Sequence, residues 1–202
     1  ADGYTFFLIW LIPSVLLAIV TRFPVFSVQS FILFNITLYT YFYPVDRWIE
    51  RTIMEDTIIT LAILLVNTAI MFLYASRKPK LVAYLAAVLV QILAIEVTTE
   101  WTGQYLFFDE PFSIAGMIVY VLIILLYAGI YYQYLIKAEN KVLVVLASLG
   151  GAILLISHFF MITSWISGLL VYLFGFVLGI GLIAAGSIWV AKLARKTSGE
   201  NR

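Results

Sequence analysis

The chain of 202 residues contains no cysteine and only one histidine, His158. The absence of cysteine excludes disulfide bonds, thiolate metal sites, c-type haem and cysteine nucleophiles. A single histidine excludes bis-histidine haem ligation and zinc sites built from several histidines. We therefore expect neither a metal site nor a cofactor.

Charged residues are also scarce. They make up 11% of the chain, whereas 64% of the residues are apolar and the mean hydropathy is +1.07. Soluble domains carry about 25% charged and about 45–50% apolar residues. This composition excludes a water-soluble globule and a disordered tail, and it makes a nucleic-acid partner unexpected. It predicts a protein integral to the cell membrane and surrounded by membrane lipids.

Apolar runs of the length needed to cross a bilayer, about 20 residues, recur along the chain. The last run has no charged residue over 50 positions. As one helix it would be about 75 Å long, against a hydrocarbon core of about 30 Å, so we expect it to turn near Thr163. The runs are Tyr4–Val20, Phe23–Tyr43, Ile58–Tyr74, Leu81–Val97, Phe112–Ile136 and Val142–Ala191.

The sequence therefore predicts an all-α membrane protein with a bundle of seven transmembrane helices. The bundle forms one domain over residues 1–191, and residues 192–202 form a short basic cytoplasmic tail. Six spans is the alternative, if the first run lies along the membrane surface.

The distribution of basic residues predicts the orientation. Lys and Arg collect in cytoplasmic loops. With the N-terminus outside and the C-terminus inside, ten basic residues are cytoplasmic and only Arg47 and Arg51 are outside. Nine of the eleven acidic residues then fall on the outer side, where they would form an acidic vestibule that attracts cations. Candidate ion ligands in this vestibule are Asp46, Glu100, Asp109 and Glu110.

Two ionisable residues are predicted to lie within the membrane. Helix rise places Glu96 about 22 Å and His158 about 24 Å from the inner surface. Ionisable groups at such depth are costly and are functional candidates. We expect Glu96 and His158 to lie near one another and to bind a proton or a cation. The alternative is that Glu96 marks a helix end and His158 bonds a backbone carbonyl.

Three amides, Asn35, Asn67 and Gln91, are predicted near the midplane of the membrane, where lipid offers no hydrogen-bond partner. They would line a path for a solute or ion, or they would link the second, third and fourth spans. The linking role is favoured.

Glycines mark the last two predicted spans. Gly175 and Gly179 form a G-x-x-x-G motif, which lets two helix backbones approach closely. This helix is a candidate contact with a membrane-protein partner or with a second copy of the chain. Gly150 and Gly151 are expected to face it.

The segment Thr98–Phe112 is predicted as an outer loop that is ordered against the outer face. Its apolar part, Trp101–Phe108, would dip into the membrane interface or lie over the vestibule as a lid. Gly103 would allow the turn.

The loop Pro44-Val45-Asp46-Arg47-Trp48 resembles a loop of the membrane lycopene cyclases. That family protonates a polyene and carries acidic residues at repeated helix ends. The proline followed by paired glutamates of that family is absent, and Asp109-Glu110-Pro111 has a different order. We therefore assign the chain to no family.

Three functions fit the sequence. The favoured one is a small solute or cation transporter or channel with an acidic outward-facing vestibule. The alternatives are a non-catalytic membrane subunit of a larger complex and an intramembrane enzyme acting on a lipid or isoprenoid. No residue is assigned a catalytic role, and a non-enzymatic function is favoured.

Overall fold

A computed structural model of the protein describes residues 3–44, 52–107, 114–137, 140–165, 177 and 181. Every regular element among these residues is helical, which confirms the all-α prediction. The elements are α1 (Gly3–Thr21), α2 (Pro24–Phe42), α3 (Ile53–Ala75), α4 (Lys80–Phe107), α5 (Ile114–Tyr131), a π-helical turn (Tyr132–Lys137) and α6 (Lys141–Trp165).

Among the described residues, six helices are long and apolar enough to cross a membrane. They are compatible with a polytopic membrane protein. The predicted seventh span lies outside the described residues except for two helical positions, Val177 and Gly181. The seven-helix count therefore stays a prediction.

The chain divides into two compact units, an N-terminal unit (Ala1–Val90) and a C-terminal unit (Gln91–Arg202). In the N-terminal unit, α1 and α2 form a tight hairpin. Arg22 takes φ 53°, a left-handed conformation that is rare for a residue with a side chain. The hydroxyl of Thr21 accepts a hydrogen bond from the backbone N–H of Phe23 at 3.2 Å. Pro24 then opens α2, where its fixed φ suits the first helical turn.

Helix α3 begins with a capping box. The Thr52 hydroxyl accepts a hydrogen bond from the backbone N–H of Glu55, and the Glu55 carboxylate accepts one from the backbone N–H of Thr52. Two of the N–H groups left without helical partners are thereby satisfied. Helices α2 and α3 contact one another in antiparallel register, because Tyr43 lies against Thr60 and Asn35 lies against Asn67.

Helix α4 corrects the prediction of an outer loop over Thr98–Phe112. It continues for 28 residues to Phe107, about 42 Å, and passes through Gly103 without a turn. The hydroxyls of Thr98 and Thr102 donate to the carbonyls four residues earlier, at 2.7 and 2.9 Å. Because these polar groups are satisfied within the helix, they do not end it.

Helix α6 runs from Lys141 to Trp165, so Thr163 itself lies in the helix. The residues directly after Trp165 lie outside the described part of the chain, so the turn near Thr163 stays a prediction. The polar side chains that suggested an interruption are bonded inside the helix. Ser157 donates to the carbonyl of Ile153 at 2.8 Å, and the His158 ring contacts the carbonyl of Leu154 at 2.8 Å.

Candidate functional site

Within the C-terminal unit, α5 presents tyrosines on one face. Tyr120, Tyr127, Tyr131 and Tyr134 are separated by seven, four and three residues. At 3.6 residues per turn this spacing places the three tyrosines of α5, Tyr120, Tyr127 and Tyr131, on one stripe. These three make side-chain hydrogen bonds to α4 or α6, and Tyr134 follows in the π-helical turn. We call the three tyrosines on the stripe the tyrosine face of α5.

The contacts run in antiparallel register. Gln91 and Thr102 of α4 meet Tyr127 and Tyr120 of α5, in opposite chain order. Ser148 and His158 of α6 meet Tyr131 and Tyr120. The tyrosine face therefore bonds to α4 through Tyr120 and Tyr127 and to α6 through Tyr120 and Tyr131, at three successive levels.

The level that contains His158 is the richest in polar groups. Its Nε2 lies 2.9 Å from the Tyr120 hydroxyl, and its Nδ1 lies 2.8 Å from the Leu154 carbonyl oxygen. The Tyr120 hydroxyl is also 3.0 Å from the Thr98 carbonyl oxygen and contacts the Thr102 hydroxyl. The two rings meet edge to face, with centroids 5.6 Å apart. Three helices thus converge on one hydroxyl group.

This geometry defines where the protons lie. A carbonyl oxygen only accepts, so Nδ1 of His158 carries a hydrogen. In the neutral ring, Nε2 then accepts the Tyr120 proton. If the ring gains a proton, Nε2 donates to the Tyr120 oxygen, and Tyr120 donates to the Thr98 carbonyl instead. Both arrangements use the same atomic positions, so the site accommodates an added proton without losing a hydrogen bond.

The second level joins Gln91, Tyr127 and Gly150. The Tyr127 hydroxyl donates to Oε1 of Gln91, whose side chain is buried. Gly150 supplies the space, because a Cβ atom at this position would overlap the Gln91 side chain. The neighbouring Gly151 faces the Tyr127 ring instead, at an ordinary contact distance of 3.4 Å.

The third level joins Tyr131 and Ser148. The Tyr131 hydroxyl donates to Ser148 at 2.9 Å, and Ser148 donates to the Val144 carbonyl at 2.8 Å. Tyr134, the next tyrosine along the chain, lies in the π-helical turn and is fully buried. Beyond Tyr131 the chain widens into the π-helical turn.

The structure does not pair the ring nitrogens of His158 with Glu96. Nε2 contacts the Tyr120 hydroxyl, and Nδ1 contacts the Leu154 carbonyl oxygen. Glu96 is exposed and lies about 140° around α4 from the stripe of Gln91, Thr98 and Thr102. Glu100 is half-buried and lies one turn further along the same side. The ion-binding role of these two carboxylates stays a prediction.

The amides Asn35 and Asn67 do lie together in the N-terminal unit. Nδ2 of Asn67 donates to Oδ1 of Asn35 at 2.8 Å and to the Ile63 carbonyl at 2.9 Å. Asn35 in turn donates to the Phe31 carbonyl at 3.0 Å. Oδ1 of Asn67 is buried and has no hydrogen-bond donor among the described residues. The third predicted amide, Gln91, is bonded to α5.

The remaining predicted site residues lie outside the described part of the chain. They are Asp46, Asp109, Glu110, Gly175 and Gly179. Among the residues that are described, no three histidine or acidic side chains come together as a metal site.

Sequence reasoning missed most of this site. It identified His158 and Gln91 but not Tyr120, Tyr127 or Ser148. The spacing of the tyrosines was the available signal, since Tyr120, Tyr127 and Tyr131 fall on one stripe of an apolar span at helical spacing. The hydrogen-bond partner of His158 could not be predicted from the sequence, because it depends on which helices are neighbours.

No family model matches the chain, and no curated protein or solved structure matches it either. The contacts of the described helices are therefore the basis for a function.

Proposed function

We propose that this protein is a small membrane transporter or channel for protons, with His158 and Tyr120 as its proton-binding pair. The single observation that carries this function is the hydrogen bond between Nε2 of His158 and the Tyr120 hydroxyl. Ionisable residues inside membrane spans mark ion pathways and proton relays. An imidazole ring can take up and release a proton, unlike the glutamine or serine side chains that would suffice for holding helices together.

The proposed membrane arrangement supports this function. It has seven spans in the cell membrane, with the N-terminus outside and ten of the twelve basic residues in the cytoplasm. Nine acidic residues then face the outside, among them Glu96, Glu100, Asp46, Asp109 and Glu110. Their negative potential raises the local proton concentration within a Debye length of about 8 Å. His158 lies toward that side and is the first proton acceptor inside the bundle.

Proton flux into liposomes tests the proposal. The purified protein is reconstituted into vesicles that contain a pH-sensitive dye, and an inward proton gradient is imposed. We expect wild-type vesicles to acidify faster than protein-free vesicles. His158→Gln keeps a hydrogen-bonding amide but holds no added proton, so its flux should fall to the protein-free rate. Tyr120→Phe should lower the flux as well.

Tyr132→Phe is the matched control, because Tyr132 is 62% exposed and lies outside the tyrosine face. Its flux should equal that of the wild type. Thermal unfolding of each variant in detergent separates loss of function from loss of fold. A folded His158→Gln variant with wild-type flux refutes the proposal, and so does a wild-type protein without flux.

A non-catalytic membrane subunit is the second candidate. The observation that favours it is the exposure of α1, where Ile9, Ile19 and Val20 are 63%, 67% and 79% exposed. In addition, the buried amides and hydroxyls of the protein form hydrogen bonds between its own helices. The predicted partner is a membrane protein or a second copy of the chain, bound through the glycine-rich last helix with Gly175 and Gly179.

The mass of the native protein tests this candidate. A subunit should extract from its native membrane, in mild detergent, as a complex larger than one chain. Gly175→Leu and Gly179→Leu should reduce that mass, since G-x-x-x-G contacts depend on close backbone approach. A monomeric native protein contradicts the subunit function and leaves the transporter proposal standing. No described contact favours an intramembrane enzyme over either candidate.

A further inference from the structure

Beyond His158, the tyrosine face continues along α5. Tyr127 lies about 10.5 Å and Tyr131 about 16.5 Å from Tyr120 along the helix axis, by helix rise. Tyr134 follows at the end of the apolar span. The three positions on α5 thus extend about 16.5 Å along a hydrocarbon core of about 30 Å. Hydroxyl groups at several depths of one helix face are more than His158 needs for its own hydrogen bonds.

We infer that the hydroxyls of Tyr127, Tyr131 and Ser148 form the path by which protons pass between His158 and the other end of the bundle. This inference rests on the proposed proton-transport function, and it adds a route to it. A hydroxyl group both donates and accepts, so each oxygen can receive one proton while it releases its own. The aliphatic residues that separate the tyrosines on α5 cannot do this.

The transfer balances at each step. A proton leaves Nε2 of His158 as the Tyr120 oxygen gains it, and Tyr120 releases its own proton toward Tyr127. No heavy-atom bond changes, and each hydroxyl ends neutral. By helix rise, the interval from Tyr120 to Tyr127 is about 10.5 Å and that from Tyr127 to Tyr131 is about 6 Å. Both exceed a hydrogen bond of about 2.8 Å, so the inferred path includes water molecules in both intervals.

The last step of the path, from Tyr131 to Ser148, is a direct hydrogen bond. The Ser148 hydroxyl donates to the Val144 carbonyl, which only accepts. In the inferred path, Ser148 accepts the proton that Tyr131 releases, and its own proton leaves to water at the inner end of the path. Tyr127 is held by Gln91, which only accepts at Oε1. The Tyr127 oxygen keeps lone pairs that receive the incoming proton.

Ser148 gives the sharpest test, because its replacement removes one small group and spares the fold. In the liposome assay, Ser148→Ala should lower the proton flux about tenfold, since loss of one hydrogen-bonding step raises the barrier by about 1.4 kcal/mol. Ser148→Thr keeps the hydroxyl and should restore the flux. Ser157→Ala is the matched control on the same helix, because Ser157 bonds only its own helix backbone at Ile153. It should leave the flux unchanged.

Tyr127→Phe, measured beside Ser148→Ala, should lower the flux to a similar extent. Wild-type flux in either variant overturns the path, and so does a Ser148→Thr variant as slow as Ser148→Ala. The two proposals fail in different ways. If His158→Gln abolishes the flux but Ser148→Ala and Tyr127→Phe do not, the proton site stands and the route does not. If the wild type shows no flux, the proposed function fails first.

Discussion

Gly150 gives the most direct test of how α4, α5 and α6 pack. A Cβ atom built at Gly150 would overlap Oε1, Cδ and Cγ of Gln91. The Gln91 side chain is 6% exposed and is bonded to Tyr127, so it has no open space to move into without breaking that bond. In the Gly150→Ala variant, Gln91 and Tyr127 must therefore separate or the two helices must move apart.

The magnitude follows from three contributions. Overpacking a well-packed interior costs about 1–3 kcal/mol. Losing the hydrogen bond between Gln91 and Tyr127 adds about 0.6 kcal/mol, the average for membrane helix pairs. Replacing glycine by alanine in a helix interior returns about 1 kcal/mol. Together these contributions predict that Gly150→Ala lowers the free energy of unfolding by about 0.6–2.6 kcal/mol.

Gly151→Ala is the matched control, one residue further along α6. A Cβ atom there would meet the Tyr127 ring at 3.4 Å, an ordinary contact. Only the helix-propensity gain remains, so Gly151→Ala should be neutral or stabilising by up to about 1 kcal/mol. Unfolding in mixed micelles, titrated with dodecyl sulfate and followed by circular dichroism, measures both variants.

A double-mutant cycle tests the physical cause. In the Gln91→Ala background, Gly150→Ala should no longer destabilise the protein, because the overlapping atoms are gone. The two substitutions should show a coupling energy of about 1–3 kcal/mol, the range for residues in contact. A Gly150→Ala variant as stable as Gly151→Ala would refute the packing of Gln91 against Gly150.

Three further predictions concern the rest of the chain. For orientation, single cysteines at Lys80 and Asp109 should react differently with an impermeant thiol reagent added outside, with only the Asp109→Cys variant labelled; the reverse pattern contradicts N-out topology. In the amide pair, Asn67→Leu should lower the free energy of unfolding less than Asn35→Leu does. It removes Oδ1 of Asn67, a buried oxygen that has no described hydrogen-bond donor. Unfolding titrations of the two variants measure the difference. At the start of α3, Thr52→Ala should cost about 1 kcal/mol and Thr52→Ser almost nothing, since serine retains the cap; equal losses would contradict the capping box.

The helical class was predictable because composition and apolar run length depend on the sequence alone. Five of the six observed helices overlap separate apolar runs, and α6 covers the first part of the long uncharged run. The prediction of a loop after Thr98 is wrong for a physical reason. Short hydroxyl side chains do not end a membrane helix, because they bond the carbonyl one turn earlier and let the helix continue.

The site was less predictable than the spans. Depth along each helix could be derived from rise per residue, so His158 and Glu96 were placed at similar levels. Depth alone does not determine the direction in which a side chain points around the helix. Glu96 lies about 140° around α4 from the stripe of Thr98 and Thr102. The packing of the helices determines which of them are neighbours. This packing brings Tyr120 of α5 against His158 of α6.

The structural and functional roles of the tyrosine face differ in what they require of the oxygen atoms. Lipid is as apolar as the helix surfaces, so apolar burial hardly drives helices together, and polar links contribute about 0.6 kcal/mol each. For that purpose the partner of Tyr120 need only be a fixed acceptor, and glutamine would serve. Proton passage instead needs groups that exchange a proton, and His158 meets that need with two arrangements on the same atoms.

Tyrosine-to-phenylalanine variants remove one oxygen and keep the ring. If the face only links helices, stability and proton flux should fall in proportion across Tyr120, Tyr127 and Tyr131. If it conducts protons, flux should fall about tenfold at positions where stability changes by less than about 1 kcal/mol.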